Sequence, residues 1–214
     1  MKRTFETYSA PTGTGKRSCS PLVGNILFLG AVFAVSLLLM ALEKPLFLLW
    51  YRAQAAEATA AELARVVWNG LKLDLTVAGY ITALPLVVVL AAVWLPGRWS
   101  RSVLKVYFLI IAAVAAVALT ANLALYEYWA FPLDSSVLQY LASPKEAMAS
   151  VTAGQLLLQL LVAAAAFAVM AYCYLRVLRL YVPERRTAHR IGSSLGLLLA
   201  AGVLFLPIRG GVSV

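Results

Sequence analysis

Five apolar runs, each long enough to cross a bilayer, govern what this chain can fold into. They cover Leu22–Leu42, Leu75–Leu95, Val103–Leu125, Leu156–Leu175 and Ile191–Ile208. At about 1.5 Å per residue, 20 helical residues cover roughly 30 Å, the thickness of a hydrocarbon core. No water is available there, so each backbone N–H and C=O must be satisfied within the protein, and a helix does this run by run. Composition agrees: 63% of the 214 residues are hydrophobic, 13% are charged, and the mean hydropathy is +0.86. A soluble domain carries about a quarter charged residues and could not cover a surface this apolar. The expected fold is all-α, a polytopic membrane protein of five transmembrane helices.

Charge sets the orientation. The chain holds 18 Lys and Arg against 9 Asp and Glu. In a soluble protein such an excess points to nucleic acid; here it is topogenic, because cytoplasmic loops retain Lys and Arg. Lys2, Arg3, Lys16 and Arg17 precede the first run, Arg98, Arg101 and Lys105 fall between the second and third, and Arg176, Arg179, Arg185, Arg186 and Arg190 follow the fourth. Seven of the nine acidic residues fall in the alternate segments. An N-in/C-out arrangement satisfies every loop, and a miscounted helix would invert the later ones.

The connections have characters of their own. Residues 1–20 read as a disordered basic cytoplasmic tail. The first run is too long for a cleaved leader and leads into Glu43-Lys44-Pro45, so it reads as an uncleaved signal anchor. Residues 52–65 are rich in Ala and Glu and read as a short surface helix, too polar to span. Pro85 interrupts the second run, and a neighbouring helix is expected to satisfy the carbonyl it frees. Asp134-Ser135-Ser136 and Ser143-Pro144-Lys145-Glu146 predict two short interfacial helices in the outer loop 126–154.

Chemistry is sparse. His189 is the sole histidine, and Cys19 and Cys173 have no metal spacing. No Gly-rich phosphate loop, HExxH or GxSxG is present, and no nucleophile has a partner base. No catalytic, cofactor-binding or metal residue is assigned. The informative polar residues lie at the outer ends of the helices. Asp74, at the mouth of the second run, needs a partner at the membrane edge, with Lys72, Arg65 and Arg209 as candidates. Glu127 stands between Tyr126 and Tyr128, within prospective reach of Arg209. Together Lys72, Asp74, Glu127, Asp134 and Arg209 outline an outer-face cluster, either structural or in contact with a ligand.

Three stretches carry a family resemblance. They are WNGLKLDLTVAGYITALP (Trp68–Pro85), LYEYWAFPLDSSVLQYLASPKEAMAS (Leu125–Ser150) and LFLPIRGGVSV (Leu204–Val214). In this order they resemble the N-terminal membrane domain of lipoteichoic acid synthase-like, sulfatase-related proteins of the alkaline phosphatase superfamily. The resemblance implies a bacterial cytoplasmic-membrane protein whose five helices precede an extracytoplasmic catalytic domain in cis. That domain would hold a divalent metal and a Thr or Ser nucleophile acting on phosphorus or sulfur esters. Residues 210–214 would then begin the linker to it, and no site residue of that domain has a counterpart here. Lys72, Asp74, Tyr128, Asp134 and Arg209 would line the seam between membrane and catalytic domains. The expected partners are membrane lipids and that domain, not nucleic acid. The alternative is a standalone membrane scaffold without catalysis. A transporter fits least, because no internal repeat is visible and the centres of the five runs lack ionisable residues.

Overall fold

The computed structural model describes residues 21–52, 56, 59–95, 99–129, 152–183 and 190–209, without the side chains of 127–129. Five long helices account for nearly all of them: α1 (Pro21–Trp50), α2 (Ala60–Trp94), α3 (Trp99–Trp129), α4 (Ala153–Val177) and α5 (Arg190–Ile208). A short 3-10 turn, Leu178–Leu180, closes α4. Each helix is long and apolar enough to cross a membrane. The protein is an all-α, multi-pass membrane protein. The expected tail 1–20, the two short helices of the outer loop and residues 210–214 lie outside the described residues.

The helices outrun the apolar spans that predict them. α2 has 35 residues, roughly 52 Å at the helical rise. It absorbs the end of the segment read as a separate surface helix. Its start is a capping box: Thr59 Oγ1 accepts from the Glu62 backbone N–H, and the Glu62 carboxylate accepts from the Thr59 N–H. Nothing between Glu62 and Leu75 breaks a helix, so the cap propagates directly into the span. α4 begins the same way, with Thr152 and Gln155 forming a second box three residues before the apolar run. α1 continues through Pro45 to Trp50, where a loop leaving the membrane is expected.

Packing follows the side chains. α1 lies beside α2, α2 beside α5, and α3 beside α4, with the α1–α4 contact joining the groups. An aromatic core lies toward the end where α1 and α3 begin and α4 finishes: Phe108 stacks on Tyr174 at 5.1 Å, and Phe28 meets Tyr181 at 5.5 Å. All four rings are essentially inaccessible. Their polar atoms are paired, Tyr174 with Ser36 at 3.0 Å and Tyr181 donating to Ser100 at 2.8 Å, as buried hydroxyls in an apolar medium require. Beside them the expectation for Pro85 is met: Tyr107 of α3 donates to the Ile81 carbonyl, four residues before the proline, at 2.8 Å.

Candidate functional site

One end of the bundle gathers the C-terminal parts of α1, α3 and α5 with the N-terminal part of α2. Charge distribution predicts this end to face outward. Its centre is an ion pair between α1 and α2. Lys44 Nζ donates to both oxygens of Asp74, at 2.6 and 2.5 Å. The Asp74 side chain is only 8% exposed and that of Lys44 22%. Among the described residues it is the sole ion pair. Neither ion alone would be stable so far from water, and each removes the other's penalty.

Gly70 makes the pair possible. It lies one turn before Asp74 on the same face of α2, and the Lys44 stem crosses directly over it. A Cβ at position 70 would stand 1.9 Å from Lys44 Cε. Glu43 adjoins Lys44 in sequence and is half-buried. Further along α1, Phe47 and Tyr51 pack with Tyr126 of α3, with ring centroids 4.7–5.1 Å apart. Tyr51 also donates to the Leu123 carbonyl at 2.5 Å. Tyr126 therefore ties α3 to α1.

The partner of Asp74 differs from the three expected. Lys72 is two residues away, on another side of the helix, and is exposed. Arg65 lies nine residues earlier, roughly 13 Å along the axis. Arg209 is exposed at the end of α5. Asp74 faces α1, and sequence spacing cannot show that Lys44 comes to meet it. Lys44 lies just past the apolar run Leu22–Leu42, where the sequence places a connection.

The helix segments that carry Lys72 and Arg209 are tied one turn inside Lys72 and two residues before Arg209. Thr76 Oγ1 donates to the Pro207 carbonyl at 3.1 Å and lies 3.2 Å from the Lys72 carbonyl. Gly79 lets the helices close here, with its prospective Cβ 2.7 Å from Ile208 Cγ1. Of the remaining expected site residues, Asp134 and the side chains of Glu127 and Tyr128 lie outside the described residues. Cys173 is half-buried in α4. No three His, Cys, Asp or Glu side chains among the described residues are placed to hold a metal.

Below this end, α1, α2 and α5 leave an apolar groove of about 560 Å³. Leu29 and Thr82 form its floor and are buried, whereas Val203 and Leu206 on its rim are largely exposed. The arrangement can pair charges, order an interface and admit an apolar chain; the described residues supply no nucleophile with a base. Comparison with family models, with curated proteins and with solved structures finds no match.

Proposed function

We propose that this chain is the membrane platform of a sulfatase-like transferase or hydrolase. Such an enzyme acts on phospho- or sulfo-esters of lipid headgroups or cell-envelope polymers at the bacterial cytoplasmic membrane. The observation that supports this best is the meeting of two resemblance-bearing stretches 131 residues apart. Thr76, in the first, bonds the Pro207 carbonyl of the last, and Gly79 packs on Ile208. The middle stretch begins at Leu125 and includes Tyr126, which packs on α1 at the same end. The platform supplies placement; metal and nucleophile belong to an extracytoplasmic domain, joined to this chain or docked on it. The Lys44–Asp74 pair would hold α1 and α2 in register beneath that domain.

The test is to isolate the native protein from its own membranes in mild detergent through an antibody to α2. Divalent-metal-dependent cleavage or transfer of headgroups is then assayed on phosphatidylglycerol vesicles. Turnover should accompany the protein and stop with a chelator. Native protein with neither such turnover nor a metal-binding domain in or on it would overturn the proposal. The second reading, a scaffold without chemistry, draws support from α4, whose first half leaves Leu157, Leu160 and Leu161 largely exposed. That face would suit a helix of another membrane protein.

A further inference from the structure

The geometry points to a built-in site for one anionic phospholipid, with an acyl chain in the α1–α2–α5 groove and its phosphate held by Lys72 and Arg209. The groove runs along α2 from Leu75 to Leu86 and along α5 from Ala200 to Pro207. At the helical rise these cover roughly 16 and 10 Å, a good part of one leaflet. Its volume, about 560 Å³, falls within the range of sites that enclose a small ligand. Thr82 is the one polar side chain in its lining, and its hydroxyl is already given to the Ala78 carbonyl. The wall therefore offers only apolar contact, which excludes a headgroup from the groove and suits a hydrocarbon chain.

Residue spacing puts the two cations at one mouth. On α2, Lys72, Leu75, Gly79, Thr82 and Leu86 recur at three- and four-residue intervals, which is one face of a helix. On α5, the lining residues Val203, Leu206 and Pro207 lie within two turns of Arg209, which follows them in the chain. Each helix thus carries a basic residue within one turn of its last lining residue, Lys72 near Leu75 and Arg209 near Pro207. The Thr76–Pro207 bond brings the two helix ends together, so both bases flank the same opening. Both are exposed, and neither has an ion-pair partner among the described residues. The acid nearest in sequence, Asp74, is committed to Lys44. A phosphodiester at headgroup depth supplies the missing negative charge, and a lipid supplies the phosphate and the chain in one molecule. The site does not depend on the catalytic partner proposed above, because it is read by binding and not by turnover.

The test places the chain in nanodiscs of phosphatidylcholine and phosphatidylglycerol, extracts it in mild detergent, and counts retained phospholipid by native mass spectrometry. Wild type should keep a single phosphatidylglycerol in preference to phosphatidylcholine. Lys72→Glu with Arg209→Glu should lower that retention about 30-fold, each cation near the surface contributing on the order of a factor of five. Gly30→Phe should lower it as well. A Cβ at position 30 meets nothing within 4 Å, so the ring enters the groove without displacing a helix. Leu199→Ala, at an exposed position off the groove, should leave retention unchanged. Equal retention of both lipids, or retention surviving both the charge reversal and Gly30→Phe, would mean unspecific bilayer contact and overturn the site. Displacement by soluble glycerol phosphate would assign the cations to a free phosphate and overturn it equally.

Discussion

Lys44 and Asp74 behave as one unit, so their replacements are not additive. Removing one partner strands a buried charge; removing both strands none. Lys44→Met is expected to destabilise the folded protein by about 3 kcal/mol, and Lys44→Met with Asp74→Leu to recover most of that. Unfolding in mixed detergent micelles, followed by circular dichroism, measures both; additive losses would refute the pairing. Gly70→Ala should act through the same pair. The added methyl displaces the lysine stem, and a loss of about 1 kcal/mol should vanish in the Lys44→Met background. Tyr107→Phe tests a separate link. It leaves the Ile81 carbonyl, already deprived of its helical partner by Pro85, without its donor. The expected cost is about 1 kcal/mol by the same measurement, and Tyr107→Phe should be silent if Pro85 is first replaced by Ala.

Among elements, α2 is the hinge on which the outward end depends, since α1 and α5 both pack against it. Its contact with α5 rests on the absence of a side chain at Gly79 and on the Thr76 bond. Gly79→Val should force α5 away at a cost of about 2 kcal/mol, as overpacking does in other cores. The same detergent unfolding measures that loss. α1 was legible up to Leu42, because hydropathy defines the span, but not to Trp50. Pro45 reads locally as a helix stop, and the packing of Phe47 and Tyr51 on Tyr126 continues the helix past it. The two capping boxes were legible in principle, as Thr59-x-x-Glu62 and Thr152-x-x-Gln155. Hydropathy alone starts each helix only where the lipid-facing residues begin.

For the whole molecule, the alternation of basic and acidic segments predicts which end faces the cytoplasm. With Cys19 and Cys173 replaced by Ser, Arg209→Cys should react with an impermeant maleimide added outside intact cells. Arg179→Cys should react only after permeabilisation. The opposite pattern would invert the orientation, and labelling of both from outside would break the five-helix count. The end predicted to face the cytoplasm is closed by polar ties: Arg101 donates to the Tyr181 carbonyl and the Val182 N–H to Asn25 Oδ1. The other end is held by the Lys44–Asp74 ion pair, the Thr76–Pro207 and Tyr51–Leu123 bonds and the Tyr126 ring contacts, and is flanked by the open groove.

What sequence alone determined is the number, class and predicted orientation of the helices. Bilayer thickness and the cost of unsatisfied backbone act on each span separately, and topogenic charge acts on each loop separately, so no long-range information is needed. It also singled out Asp74, because a carboxylate at the membrane edge must find a partner. Only the tertiary structure decided which partner. Lys44 lies thirty residues away across a helix interface, and its reach depends on the missing side chain at Gly70. It likewise decided that Thr76 meets the Pro207 carbonyl, since that follows from how α2 and α5 pack and not from any spacing within either helix.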